Sequence, residues 1–503
     1  MTKPKVQNYL HELIKNLSQT EKRYFKLLAK QQTPSKKNDY IRLFEEIDKQ
    51  EVFNEEAIKE KFKGTPIEKR YPSLKKYLYE LVVKSLTFYN ADTLPSVRVR
   101  RIIDAVEILQ NKGLYHQALR KLKKAEELSN EIGLLGSTQE IKRLKLHCLA
   151  KMNEFPNWDE LSAFKHDQAK LSKAIQLNNE IYNNNLDMLA ISNNKQASSG
   201  IVEPQNNLRL KDITQPKEKI ELKHNKLLYY NSLRNYYELT NNLVEAEKFV
   251  DKILLLFHSN ELQIKLLPTK YIHALFFKIN YLKNQNKNNE IALFLEKSNI
   301  FFNDNTITYY SKNSDYGYFL NIEQEFYLIQ NDLNKIFLQV KKVEDFVLNK
   351  RTKLGTSLHN TLLINLAWAQ LRCGRNKGVL GSLKNIILKS DNLDYQNMIH
   401  SKKLLTTIVY LESKNFELFE SSSKNLERAL QKCDASNDIL KELSKTFHKL
   451  LICFGDDTLQ KIQFKQLHNR LEEIENSEND MKKEFIKSWV KNKSDFSRKA
   501  ILN

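Results

Sequence analysis

Three groupings in this 503-residue chain place reactive residue types side by side, and each fails on spacing. His147-Cys148 puts an imidazole next to a thiol, but a thiolate–imidazole pair must face each other, and neighbours on a helix point in different directions. The 11 histidines form no H-x-x-x-H or H-E-x-x-H, and the 4 cysteines no C-x-x-C, so no set of convergent zinc ligands is indicated. Gly374, Gly378 and Gly381 in CGRNKGVLGSLK resemble a phosphate-binding loop only superficially: no Gly-Lys-Ser/Thr follows and no strand precedes. Glu45-Glu46, Glu55-Glu56 and Glu472-Glu473 are adjacent on helical stretches, the arrangement of solvated carboxylates and not of an acid–base pair. No catalytic site, metal site or cofactor is expected, and the chain is not expected to be an enzyme.

Binding chemistry is better represented. With 22 Tyr and 25 Phe, the segment between residues 229 and 318 is dense in tyrosine, which buries area while keeping a wet hydroxyl. Tyr236, Tyr237, Tyr316 and Tyr318 are the expected lining of a protein-binding groove; the competing reading is aromatics that fill gaps between helices. The net charge of +20 is uneven, residues 1–150 carrying 30 Lys and Arg against 19 Asp and Glu. Such asymmetry favours encounter with nucleic acid, anionic lipid or acidic proteins. Lys69, Arg70, Lys75 and Lys76 fall near the start of the second helix of a loose helix-turn-helix pattern, where phosphate and base contacts are made. Arg98, Arg100 and Arg101 form the densest arginine cluster, and the planar guanidinium fork suits phosphate. The competing reading is an ordinary helical hairpin with solvated basic faces.

The elements that must position these residues are helical. The chain has 11 Gly and 9 Pro and no Pro after Pro268; Pro interrupts helix interiors, so its absence leaves room for long helices. In residues 1–94 the spacing predicts a small basic bundle. A capping box is expected at Ser18-x-x-Glu21, caps at Asp39 and Asn54, and a long helix with Pro72 in its first turn. Asn90–Pro95 is a turn cluster and the expected domain boundary.

Beyond it, AVEILQNKGLYHQALRKLKKA (105–125) reads as one helix, a tight turn at Gly113 and a second antiparallel helix. Leu109, Gly113, Tyr115, Ala118 and Ala125 resemble the tetratricopeptide repeat family, although the family's Trp and terminal Pro have no counterpart here. That resemblance implies stacked helical hairpins that recognise other proteins. Related turns place Leu243, Asn289, Leu333, Asn376 and Phe416 in register, at spacings of 46, 44, 43 and 40 residues. A fixed period in this range is the signature of a repeat array. The expected fold is therefore all-α, a helical-hairpin repeat array (an α-solenoid) preceded by a small helical bundle. Its expected parts are repeats at 95–190, a long loop at 191–217, further repeats at 218–455, and capping helices with a tail at 456–503. Another copy is expected near Phe155–Trp158.

The four scattered cysteines read as core residues of a reducing compartment. The N-terminus lacks the apolar core of a signal peptide, and aliphatic runs such as ILLLF (253–257) are far short of a membrane span. A cytoplasmic scaffold or adaptor that binds a protein or peptide follows. The alternative is a nucleic-acid- or ribosome-associated protein using the basic N-terminal third.

Overall fold

A computed structural model describes residues 9–32, 38–51, 53–90, 94–154, 157–197, 222–307, 309, 311–348, 354–387, 393–431, 438–474 and 481–494. The protein is all-α: among the described residues there are 23 helices and no strand. The chain divides into two compact units, Met1–Lys278 with Asp304–Tyr310, and Ile279–Asn303 with Ser311–Asn503.

The first unit opens with a bundle of α1 (Tyr9–Asn16), α2 (Gln19–Gln32), α3 (Asp39–Lys49), α4 (Glu55–Lys61) and α5 (Pro66–Tyr89). Ile14, Phe25, Leu43, Phe44, Ile47, Ile67, Leu78 and Val82 form its core, with Phe25 and Phe44 stacked at 4.4 Å. The capping box is formed: the Glu21 N–H donates to Ser18 Oγ (3.2 Å) and the Ser18 N–H to Glu21 Oε2 (2.7 Å). Asn54 caps α4 as expected, accepting from the Ala57 N–H. Two boundaries differ. Asn38, not Asp39, caps α3 by accepting from the Tyr40 and Ile41 N–H groups, and Asp39 is the first helical residue. The helix expected to begin at Pro72 begins at Pro66 and runs through Pro72, because Ile67 and Tyr71 extend its buried stripe by nearly two turns.

The unit continues with α6 (Pro95–Asn111), α7 (Tyr115–Ile132), α8 (Leu135–Lys151), α9 (Trp158–Ala197), α10 (Lys223–Leu239), α11 (Leu243–His258) and the short α12 (Glu261–Leu266). Residues 191–197, expected in a long loop, continue α9, whose Ile181, Met188 and Ile191 are buried. The rest of that expected loop lies outside the described residues. The boundary between units falls within α13 (Pro268–Asn284).

The second unit contains α14 (Asn288–Asn303), α15 (Lys312–Gln330), α16 (Leu333–Leu348), α17 (Thr356–Arg372), α18 (Asn376–Lys384), α19 (Leu393–Glu412), α20 (Phe416–Gln431), α21 (Asp438–Ile452), α22 (Asp457–Glu473) and α23 (Met481–Ser494). Within it α15 packs on α16, α17 on α18, α19 on α20 and α21 on α22, and each pair packs on the next.

One turn geometry recurs in both units. Gly113, Asn153, Asn241, Asn286, Asn331, Gly374 and Lys414 all have φ between 53° and 73°. In each, the residue's own N–H donates to the carbonyl three residues back (2.9–3.2 Å), and the next N–H to the carbonyl five residues before it (2.8–3.4 Å). This is the Schellman arrangement, which satisfies carbonyls that the ending helix leaves unpaired. The intervals are 40, 88, 45, 45, 43 and 40 residues, the long one spanning α9. Five residues after six of these turns stand Ala118, Ala246, Ile291, Ile336, Val379 and Phe419, each no more than 2% exposed. After Asn153 the residue in the corresponding place is Trp158, which begins α9 and is exposed. A left-handed residue followed by a buried anchor is the unit that repeats.

Candidate functional site

The sequence leaves one helix of the second unit with no polar face. From Leu362 to Leu371 every residue of α17 is buried, the condition of a helix packed on all sides. Its neighbours α15, α16, α18 and α19 cover most of it. Trp368 is met on the remaining side by α23, which packs chiefly on α22 and also on α15.

The seat is built from α17, α19 and α22. Phe485 of α23 meets Trp368 edge-on, with ring centroids 4.8 Å apart. Trp489, one turn later, meets Phe464 of α22 at 5.4 Å and 89°. The Trp489 indole N–H donates to Glu412 Oε1 of α19 (2.8 Å), and Lys493 pairs with Glu412 Oε2 (2.7 Å). Residues 485, 489 and 493 lie four apart, so one face of α23 carries two aromatic anchors and a cation. Phe485, Ile486, Trp489 and Val490 are all buried. Helix α23, expected as a terminal capping helix, buries an aromatic inner face.

On α17, one turn before Trp368, Asn365 donates to Asn321 Oδ1 (2.7 Å) and Glu325 Oε1 (3.2 Å) of α15. Lys283 pairs with the other Glu325 oxygen at 2.8 Å. This polar seam ties α15 and α17 together and fixes the floor on which Trp368 stands.

Two features of the seat are incomplete. The Trp368 indole N–H is buried with no acceptor among the described residues. A cavity of about 270 Å³ remains beside Glu412 and Lys493, lined by Leu411, Phe454 and Phe464.

The tyrosines singled out by sequence are not gathered in one place. Tyr236 and Tyr237, in the first unit, are half-buried and pack on a core of Met188, Ile191 and Leu233, with Tyr237 stacked on Phe249 at 5.7 Å. Tyr316, in the second unit, is enclosed by Phe302, Phe319 and Phe346. Tyr318 is 50% exposed.

The basic residues separate in the same way. Arg70 pairs with Asp39 at 2.9 Å, and Lys75 pairs with Glu55 at 3.1 Å while lying over the Phe53 ring. Both pairs tie helices of the bundle together at its surface. Arg100 and Arg101 line a cavity of about 620 Å³ that also holds Asp104, Glu107 and Glu140, and Arg101 lies over Phe88. Lys69, Lys76 and Arg98 are exposed.

Of the reactive groupings, Cys148 is fully buried, with the Gln110 amide 3.0 Å from its sulfur, while His147 is exposed. Gly374 is a left-handed turn residue, and a Cβ on Gly378 would stand 3.1 Å from the Gln370 side chain. Among the described residues no three His, Cys, Asp or Glu side chains cluster as metal ligands. No helix among them is long and apolar enough to cross a membrane.

A larger cavity, about 1450 Å³, lies in the first unit between α7, α8, α9, α10 and α11. His224 lines it, and burial together with the nearby Lys270 ammonium pushes its imidazole down to about 4. Lys142, Lys170 and Lys173 are mixed there with Glu131, Asp167 and Glu180, so the lining selects no single ligand charge.

The seat for α23 was missed in the sequence, although F-x-x-x-W-x-x-x-K at 485–493 is a readable one-face pattern. No protein-family model matches the chain, and no curated protein is significantly similar to it.

Proposed function

We propose that this protein is a non-enzymatic helical-repeat scaffold or adaptor that binds a helical segment of a protein partner on the face of the second unit carrying Trp368 and Glu412. The observation that carries the reading is the seating of α23: this face holds a helix through two aromatic anchors and one carboxylate. Helix-in-groove recognition uses such evenly spaced anchors. The tetratricopeptide-like pattern at 109–125 and the recurrent left-handed turn support a repeat scaffold of the protein-recognising kind. We place it in the cytoplasm on the thiol usage, Cys148 being buried and Cys373 and Cys453 half-buried free thiols.

The test is affinity capture by the full chain after nuclease treatment at physiological salt, comparing wild type with Glu412→Lys. A protein partner retained by wild type and lost from the variant is expected. Capture of nucleic acid alone, with binding that falls linearly on a log–log plot against salt, would replace this reading with the basic-surface alternative.

A further inference from the structure

We propose that α23 is a resident, displaceable occupant of this seat, and that the partner presents a helix with its chemistry: two aromatic residues four apart and a Lys or Arg four further on. The inference rests on the proposed binding reading and adds both the partner's pattern and its regulation.

The chemistry of the occupant is fixed by the seat. Glu412 takes two donors from α23, the Trp489 N–H at 2.8 Å and the Lys493 ammonium at 2.7 Å. A carboxylate with 21% of its side chain exposed selects for a cation and against an acidic helix. Trp368 and Phe464 accept rings edge-on, and the spacing of four fits only a helix laid along this face. The sequence of α23 matches that charge preference, with five Lys and one Glu in 14 residues.

The occupant is also imperfect. Among the described residues the Trp368 N–H has no acceptor, and an open crevice of about 270 Å³ lies beside Glu412. A buried donor left unpaired weakens an interface, and the crevice leaves room for further contacts beside Glu412. A partner helix that supplies an acceptor near Trp368 and more bulk beside Glu412 binds the same seat better. An isolated 14-residue helix is marginal in water. Helix α23 holds its place through buried Phe485, Ile486, Trp489 and Val490, its packing on α22 and its contacts with Glu412. Its attachment to the same chain favours it over a free helix. Partner affinity is then reduced by the fraction of chains whose seat is closed.

The probe is a fluorescein-labelled peptide with the sequence of residues 481–494, titrated into full-chain proteins and read by anisotropy. Phe485→Ala/Trp489→Ala in the chain is expected to bind the peptide at least about tenfold more tightly than wild type. Lys493→Glu, which removes one ion pair, should give a smaller gain in the same direction and serves if the double variant loses its circular dichroism. Adding Glu412→Lys to the chain should abolish binding, and a peptide carrying Lys493→Glu should restore it. Equal peptide affinity in wild type and the loosened variants would overturn α23 as a competitor while leaving the binding reading intact. No binding to a variant whose residues 485–490 have lost hydrogen-exchange protection would overturn the binding reading itself.

Discussion

Replacing Lys414 with Gly should stabilise the hairpin of α19 and α20, and replacing Gly113 with Lys should destabilise that of α6 and α7 by a similar amount. Both residues close the same Schellman turn: Lys414 has φ 53° and Gly113 φ 73°, and each N–H donates to the carbonyl three residues back, at 3.0 and 2.9 Å. A left-handed backbone costs a residue with a Cβ about 1–2 kcal/mol. Introducing Gly widens the unfolded ensemble and returns about 0.5–1 kcal/mol of that. The net is about 1 kcal/mol in favour of Gly at either site. Side chains contribute little to the balance. The Lys414–Asp457 pair spans 3.6 Å with 79% and 72% of its side chains exposed, a setting in which ion pairs are worth well under about 1 kcal/mol. A Cβ on Gly113 would meet no atom within 4 Å, so Gly113→Lys reads the backbone alone. The assay is native-state hydrogen exchange followed by mass spectrometry. Peptides covering 405–425 should exchange about fivefold more slowly in Lys414→Gly. Those covering 105–120 should exchange faster by a similar factor in Gly113→Lys. Two shifts of the same sign, or none, would refute the turn as the energetic repeat of the fold.

Other consequences are as direct. Gly133→Ala should cost several times more than Gly113→Ala, since its Cβ would fall 2.1 Å from the His224 ring; adding His224→Ala should recover part of the loss in thermal unfolding. The depressed His224 pKa means that the unfolded chain binds a proton that the folded chain refuses. Stability is therefore fully present above pH 6.5 and falls as pH drops from 6.5 toward 4, by at most about 3 kcal/mol. Urea titrations across that range should show the slope, and His224→Phe should flatten it. Asn365→Leu should loosen α15 from α17, because it removes the donor to Asn321 Oδ1 and one of the donors to Glu325, which keeps Asn321 Nδ2 and Lys283. A loss of about 1 kcal/mol is expected from the net worth of the hydrogen bonds removed, and exchange at 315–330 should rise.

Much of the fold is legible where a single residue decides a local structure. Ser18 with Glu21 and Asn54 announce helix starts because their side chains reach backbone donors that otherwise have no partner. Asn38 and Asp39 are adjacent and equally competent caps, so local chemistry could not choose between them. Pro72 fits a first turn, but Ile67 and Tyr71 reach the bundle core, and tertiary burial carried the helix back to Pro66. The repeat was visible in the register of Leu243, Leu333, Asn376 and Phe416, each three residues before a buried anchor, whereas Asn289 stands one residue out of that register because the anchor there is Ile291. Its turn was hidden because the left-handed residue is Gly in some copies, Asn in others and Lys414 in one.

The aromatic residues were the harder part. Tyr237 and Tyr316 look like groove residues by type, yet each stacks into packing between helices, since a phenol ring fills a gap as readily as it lines a surface. Trp368, Glu412 and Trp489 are far apart in sequence, and only the packing of α17 on α19 and of α23 on α22 and α15 brings them together. A spacing of four within 485–493 marks a face; the receptor for that face is a long-range property.

The central claim is that the face of α17 and α19 receives a helix that can be exchanged. Hydrogen exchange of the isotopically distinct full chain, with and without saturating peptide of sequence 481–494, measures this most directly. The account predicts that residues 485–490 of the chain lose protection as the peptide takes the seat, while 364–371 and 404–411 keep theirs. Unchanged protection at 485–490 under saturating peptide would contradict it.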